Sequence, residues 1–518
     1  MMAKVVNETT VPEDDELPYS SGGISHVSLA LVIAWCGEEP WRVGETLLVP
    51  PGAPGPRIWF GRGPSTSGQP CKVPFGQLRL GRWLPLPPIA AQAISRYQLS
   101  LHAIDDERMF VHNEGRCPLF LNESPVVTCE VLAGDLLRLG KQLLLICVRR
   151  TVSPPGGGGG FPSFPFGGPD PYGMVGESEA IWEVRRQIAI VAGLPGHVLI
   201  AGPSGSGKEL VARAIHLLSP RSPHRMVARN AATLPESLID AELFGNAKNY
   251  PNSGMPERPG LIGEANGSTL FLDELAELSQ SAQSHLLRVL DAGEYHRLGE
   301  TRARMSDFRL MAATNRDPNS LKHDLLARLT LHITVPGLDA RKEDVPLLVR
   351  HLCQSGAPAS EPLPSRSTRP TGQPAIPLGL MLRLLEHRYE TNLRELRSLL
   401  WRAILHPHTS EQKTTEPQQP AARTASIVPP SIPGSPSARG ESNRLPSRPS
   451  AGEHRTLTRP SAQQVQRCLD ENNGALEATW RALGLTNRFA LLRLIRRYDI
   501  EVRRRPARRS ASKTPRRG

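Results

Sequence analysis

Cysteine is scarce in this chain: seven are scattered over 518 residues, with no C-x-x-C pair among them. That argues against a disulfide framework and against a zinc site built on paired thiolates, and a reducing cytoplasm is the expected compartment. Long apolar runs are missing too. The longest, near Val27 to Trp35, falls well short of the roughly 20 residues needed to cross a bilayer, so no membrane partner is expected. The N-terminus has an acidic patch, Glu13-Asp-Asp-Glu16, and no charged-then-apolar signal pattern. Most of the chain also lacks any excess of charge. Residues 1–420 hold 42 Lys/Arg against 43 Asp/Glu, whereas 421–518 hold 20 against 7, a local net of +13 in a chain of net +12. A near-neutral body with a basic end points to a polyanion, DNA, as a C-terminal partner. At this length two to four domains are expected.

What is present begins with short apolar runs over 24–150, separated by Gly, Pro and Asn and without helical period: Val27–Trp35, Thr46–Val49, Arg57–Phe60, Ile94–Leu101, Met109–His112, Pro118–Leu121, Val126–Leu132, Leu136–Leu139 and Leu143–Val148. This spacing predicts an all-β sandwich. Three loops stand out, Gly61-Arg62, Ser95-Arg96 and Asn113-Glu-Gly-Arg116. With them the segment resembles a forkhead-associated domain, which reads phosphothreonine. The resemblance implies phosphate contacts from Arg62, Ser95 and Arg96, and hence a phosphothreonine protein or kinase as partner. A guanidinium and a hydroxyl suit that anion. Gln98 stands where the family has a structural His, Pro118 where it has a peptide-reading Asn, and a Pro-rich insert runs from Gly63 to Pro88.

The stretch His197-Val-Leu-Ile-Ala-Gly202-Pro203-Ser204-Gly205-Ser206-Gly207-Lys208-Glu209 organises the rest. An apolar strand breaks into a glycine-rich loop and restarts as a helix, the context that gives G-x-x-x-x-G-K its meaning as a phosphate loop. The glycines let backbone N–H groups of the loop converge on phosphate oxygens, and Lys208 neutralises the outer ones. Glu209 replaces the usual magnesium-binding Ser or Thr. Downstream, Ser268-Thr-Leu-Phe-Leu-Asp273-Glu274 is a second buried strand ending in two carboxylates. Asp273 is placed for Mg²⁺ and Glu274 to orient and deprotonate the attacking water. A third strand, Arg309 to Thr314, ends at Asn315; Asp324 to Arg328 is helical; Asn392-Leu-Arg394 opens a late helix. The reading is an α/β P-loop ATPase using ATP and Mg²⁺.

From Gly173 to about Leu405 these pieces resemble an AAA+ ATPase of the bacterial enhancer-binding type, the activators of sigma-54 RNA polymerase. The motifs are Val175-Gly-Glu-Ser178, the phosphate loop with Glu209, Glu242-Leu-Phe-Gly245, Leu286-Leu-Arg-Val-Leu290, Ala312-Ala-Thr-Asn-Arg316 and Asn392-Leu-Arg-Glu-Leu396. The resemblance implies a helical lid, Asn230 restraining Glu274, Asn315 and Arg394 as nucleotide sensors, and Arg328 as an arginine finger acting in trans. It further implies a homo-oligomeric ring, a hexamer in the family. Lys322 stands at the second finger position. The family's sigma-54-touching loop, Gly-Ala-Phe-Thr-Gly-Ala, is here Asn249-Tyr-Pro-Asn-Ser-Gly254, so contact with sigma-54 polymerase is the part this sequence leaves open.

Low-complexity composition predicts a flexible linker at 151–171, a disordered insert at about 355–377 and a second disordered linker at 407–460. They bound an ATPase at 172–406 and a small all-α module at 461–500. In the latter, Gln464–Leu469 and Ala475–Leu483 read as helices before a Gly484 turn and a basic third helix, a helix-turn-helix resembling the factor-for-inversion-stimulation type. Thr486, Asn487 and Arg488 would face base edges; Arg493, Arg496 and Arg497 would hold phosphates. The basic tail 501–518 adds sequence-blind affinity. The combined expectation is an ATP-hydrolysing, DNA-binding transcription regulator. The alternative is a sigma-54-independent regulator or repressor in which ATP only controls assembly, and the third is a scaffold with both sites vestigial.

Overall fold

Two runs in the sandwich, Ser28 to Trp35 and Leu143 to Cys147, are apolar at nearly every position. A strand with one face in water alternates, whereas one covered on both faces does not. In the computed structural model of the chain both runs are central strands covered on both sides. The structure describes residues 26–65, 70–152, 160–355, 376–405, 462–472 and 476–483, with Leu491, Leu494, Ile495, Tyr498 and Ile500. It divides into two units, 1–414 and 415–518.

The sandwich strands are β1 (His26–Cys36), β2 (Thr46–Leu48), β3 (Ile58–Phe60), β4 (Gly76–Arg79), β5 (Arg82–Pro85), β6 (Leu99–Ala103), β7 (Arg108–Asn113), β8 (Leu119–Leu121), β9 (Ser124–Val126), β10 (Thr128–Leu132), β11 (Leu136–Leu139) and β12 (Leu143–Val152). An eight-stranded sheet, β5-β4-β2-β1-β12-β11-β8-β9, faces a four-stranded one, β10-β7-β6-β3. Leu29, Leu31 and Ile33 meet Leu99, Leu101, Met109 and Val111 between the sheets. Three expectations shift. The run Val126–Leu132 breaks at Val127 into β9 and β10, which belong to different sheets. The run Ile94–Leu101 is strand only from Leu99, because Ser95 and Arg96 sit in a loop. The Gly63–Pro88 insert contributes the hairpin β4–β5, turned at Leu80 and Gly81, both at positive φ.

The other face of the large sheet packs on the ATPase. Val32, Ala34, Leu136, Leu144 and Ile146 share one apolar core with Leu338, Val345, Leu347, Leu348, Met381 and Leu384. The segment 151–171, expected as a flexible linker, starts with the end of β12. Its residues 160–171 lie against the ATPase: Phe164 stacks on Trp182, Phe161 packs on Tyr172, and Arg79 reaches across to Glu177 and the Phe164 carbonyl. Apolar Phe residues among the glycines and prolines give this stretch something to bury.

The ATPase opens with α1 (Glu179–Ala192), capped by the Ser178 hydroxyl accepting from the Ile181 N–H. Then come β13 (Val198–Ala201), α2 (Lys208–Leu218), β14 (Val227–Asn230), α3 (Ile239–Phe244), α4 (Gly260–Glu264), β15 (Thr269–Asp273), α5 (Gln280–Ala292), the short pair β16 (Glu294–Tyr295) and β17 (Arg304–Met305), β18 (Arg309–Thr314), α6 (His323–Arg328), β19 (Leu331–Thr334), α7 (Val345–Gln354), α8 (Leu378–Glu386) and α9 (Leu393–Leu405). The five long strands are parallel in the order β14-β15-β18-β13-β19, and α7 to α9 form the helical lid. Most of the 355–377 insert lies outside the described residues, as do 407–460 and 501–518.

In the second unit α10 (Ala462–Glu471) and α11 (Leu476–Ala482) pack with Leu491, Leu494 and Ile495 around Val465 and Leu469. The DNA-contacting candidates Thr486, Asn487, Arg488, Arg493, Arg496 and Arg497 lie outside the described residues. Among the described residues no helix is long and apolar enough to cross a membrane.

Candidate nucleotide site

In an open parallel sheet, ligands gather at the carboxyl ends of the strands. Register puts the predicted residues there. Ala201 pairs with Thr314 and Asn230 with Asp273, so the phosphate loop, Asn315, Asp273 and Glu274 leave one edge of the sheet together. The loop's glycines are required by space as well as by φ. A Cβ on Gly205, at φ +70°, would lie 2.3 Å from the Thr391 carbonyl oxygen where the lid helix α9 begins, and one on Gly202 would lie 2.6 Å from the Val335 carbonyl. Lys208 at the start of α2 donates Nζ to the carbonyls of Gly202 and Pro203, at 2.9 and 3.2 Å. Burial pushes its pKa down, and Asp273 and Glu274 pull the other way.

The fit to a nucleotide rests on donors with nothing to bind. The Ser206 hydroxyl and the Arg341 Nε are buried without a hydrogen-bond partner. Orphaned polar atoms of this kind are costly in a folded chain unless a ligand completes them. Glu209 follows in the first turn of α2. Glu274 sits at φ +55°, a left-handed conformation uncommon for a non-glycine residue, and its N–H donates to Asp273 Oδ1 at 3.0 Å. The sharp turn separates the two carboxylates, leaving Asp273 as the candidate ligand for Mg²⁺ and Glu274 free to face a water.

The other predicted residues are placed unevenly. Arg394, on α9, donates to the Ser204 hydroxyl at 3.3 Å and so touches the phosphate loop from the lid. Asn230 lies across the register from Asp273. Its side-chain oxygen caps the turn after β14 by accepting from the Ala232 N–H, and no hydrogen bond joins it to Glu274. Arg328 is exposed on α6 and ion-paired with Asp291 at 2.5 Å. Lys322 holds the Ser284 hydroxyl.

Two contacts on the phosphate loop are announced by no motif role, those of Arg341 and Asn392. Arg341 is 3% exposed, and its Nη2 donates to the Ser206 carbonyl at 3.3 Å. Asn392, buried at φ +52°, accepts from the Leu338 N–H at 2.7 Å and donates to the Ser204 carbonyl at 2.9 Å, tying lid to phosphate loop. Beside them is a cavity of about 290 Å³, with Ser206, Gly207 and Arg394 at one side and Met174, Val175 and Leu210 on its wall. That wall is held by Arg185 and Asp170, both fully buried. Arg185 donates to Asp170 Oδ2 and to the carbonyls of Gly176 and Met174.

At the sandwich loops, Gly61 is forced by proximity: a Cβ there would lie 2.1 Å from the Arg96 carbonyl. The Arg62 N–H donates to the Ser95 carbonyl at 3.0 Å, and the Ser95 hydroxyl accepts from the Arg116 N–H. Gln98 is fully buried. It accepts from the Ser95 N–H and donates to Asn113 Oδ1 and the Cys117 carbonyl, so it braces both loops. Lys72, from the insert, donates to the carbonyls of Arg62, Gly63 and Pro64, and the Arg62 Nε is buried without a partner.

The segment Asn249–Gly254 is folded back on itself. Asn249 accepts from the Gly254 N–H, and buried Asn246 donates to the carbonyls of Ala247, Tyr250 and Pro256. The Tyr250 ring lies so close to Gly299 that a Cβ there would approach it to 2.4 Å.

Comparisons with known proteins agree with this geometry. Residues 174–335 match the family model described as the Sigma-54 interaction domain. The anaerobic nitric oxide reductase transcription regulator NorR of Salmonella newport is 38% identical over 239 residues, 45% of this chain and 46% of that protein, and its Citrobacter koseri counterpart gives the same figures. The chain thus spans about half the length of these curated relatives. Among solved structures, NtrX from Brucella abortus in complex with ADP is 28% identical, covering 64% of this chain and 70% of its own, at a TM-score of 0.41. Over the segment that carries the nucleotide site the chain is therefore similar to bacterial enhancer-binding regulators. Residues 174–335, similar to the Sigma-54 interaction domain, are a P-loop ATPase module of the AAA+ class.

Proposed function

We propose that this protein is an ATP-hydrolysing, DNA-bound transcription regulator resembling the sigma-54-dependent activators, controlled through phosphothreonine recognition by its sandwich. One observation carries the enzymatic part: the Asp273–Glu274 pair and Lys208 leave the same edge of one parallel sheet, so a triphosphate bound by the loop lies beside a candidate base. Gly202 to Lys208 would bind ATP, with Arg394 and Asn315 around it. Asp273 would hold Mg²⁺, which neutralises charge on the phosphates. Glu274 orients and deprotonates the attacking water. Arg328 completes the site of a neighbouring subunit, which requires a head-to-tail ring. The basic C-terminal module tethers the machine to DNA through Thr486 to Arg497. Arg62, Ser95 and Arg96, with the buried unpartnered Arg62 Nε, are the candidate phosphothreonine contacts.

A second reading is favoured by the folded-back Asn249–Gly254 segment. In it the chain regulates transcription without touching sigma-54, and nucleotide sets assembly only. A transcription assay with sigma-54 polymerase separates the two. ATP-dependent open-complex formation by the parent supports the first reading. Activity gained only when the segment is replaced by Gly-Ala-Phe-Thr-Gly-Ala supports the second. A phosphothreonine peptide library that binds the parent no better than Arg62→Ala removes the phosphothreonine control.

A further inference from the structure

The sandwich and the nucleotide cavity are linked by one short segment. Residues 338–344 run along the phosphate loop and end at α7, and the sandwich grips them from the far side. Arg150, on β12, donates Nη1 to Glu343 Oε1 at 2.8 Å, and its Nη2 comes within 2.7 Å of Oε2, in a pair nearly closed to solvent. The next residue, Asp344, is 1% exposed and accepts from the N–H groups of Glu177 and Ser178 and from the Ser178 hydroxyl. Arg350, one turn into α7, donates to the Trp41 carbonyl of the sandwich. Held between these anchors, Arg341 lies along the cavity.

We infer that Arg341 binds the nucleoside part of the nucleotide, and that the sandwich sets its position through the Arg150–Glu343 pair. This rests on the reading of the cavity as a nucleotide site. The chemistry of the wall supports it. Alongside His351, Arg394 and Arg397, most of the lining is apolar, with Met174, Val175, Leu348 and Leu352, which suits a flat heteroaromatic base. In that setting the guanidinium spends Nη2 on the Ser206 carbonyl and has Asp344 at 4.0 Å from Nη1, while Nε keeps a proton with no acceptor. A buried donor beside an apolar slot matches an acceptor atom on a base or ribose. The sandwich therefore contributes to the ATP site without touching ATP. A change in how it sits on the lid alters nucleotide affinity.

Calorimetric titration of the full chain with ATP and, separately, with inorganic triphosphate tests this. Arg341→Met should weaken ATP by about tenfold or more, the loss expected for one hydrogen bond from a charged donor, with triphosphate affinity unchanged. Replacing Arg150 and Glu343 together by Met leaves no unpaired buried charge, and it should weaken ATP in the same sense, again sparing triphosphate. Equal loss of both ligands in Arg341→Met, including loss through misfolding, overturns the inference, because Arg341 then only supports the phosphate loop. Parent-like ATP affinity in the double variant overturns the part played by the sandwich. If the parent itself binds neither ligand, the nucleotide reading falls first, and this inference with it.

Discussion

Replacing Arg185 by Met takes a fully buried guanidinium from the wall of the nucleotide cavity. Three hydrogen bonds go, to Asp170 at 2.9 Å, to Gly176 at 2.8 Å and to Met174 at 3.2 Å. Asp170 stays behind with no solvent exposure, keeping only the N–H groups of Tyr172 and Met174. Breaking a buried pair from one side costs about 3–5 kcal/mol, because the remaining charge is uncompensated. For a folding unit of this size that lowers the melting temperature by roughly 5–15 °C. Differential scanning calorimetry of the full chain reads the shift. Adding Asp170→Asn should restore at least about half of it, since the orphaned charge is then gone. The variant should also bind ATP more weakly, because Met174 and Val175 line the cavity. A single variant melting within about 2 °C of the parent, or a double variant less stable than the single, would refute the claim that this pair holds the wall.

Three further outcomes follow from the site. Glu274→Ala should bind ATP like the parent but hydrolyse it at least about a hundredfold more slowly; turnover within tenfold in a coupled-enzyme assay removes Glu274 as the base. Arg328→Ala should lose about a thousandfold in turnover as an arginine finger, with specific activity of the parent climbing with protein concentration; activity independent of concentration argues against a finger in trans. Burial holds the Lys208 pKa below that of an exposed lysine, whereas phosphate binding needs the ammonium. ATP affinity should therefore fall as pH rises through that lowered value, and a fluorescence titration flat up to the ordinary lysine range would contradict it.

Features written in contiguous residues were readable from the sequence. The apolar run into Gly202, the strand ending at Asp273 and Glu274, and the β-rich composition before residue 150 each rest on local rules, the chain's own periodicity and the φ values that glycine permits. The sandwich strands followed, except where a loop interrupts the apolar run at Ser95, where Val127 divides a run between β9 and β10, and where the insert folds into β4–β5. Gln98 shows the limit of motif matching. In the sequence it was only a departure from the pattern that the segment resembles, whereas in the fold its amide makes the bonds that brace the two loops.

Tertiary structure alone decided the rest, because those contacts join residues far apart along the chain. Arg341 reaches the phosphate loop 135 positions earlier, Asn392 reaches it across 188, and Arg150 finds Glu343 across 193. No periodicity signals such pairings. Composition suggested beads on a string, with Gly and Pro between sandwich and ATPase. The near-continuous apolar runs Ser28 to Trp35 in β1 and Leu143 to Cys147 in β12 held the opposite hint, since a stretch with no polar face must be covered on both sides, but the sequence could not say by what. The fold supplies the lid as the cover, and thereby brings the sandwich within reach of the nucleotide site.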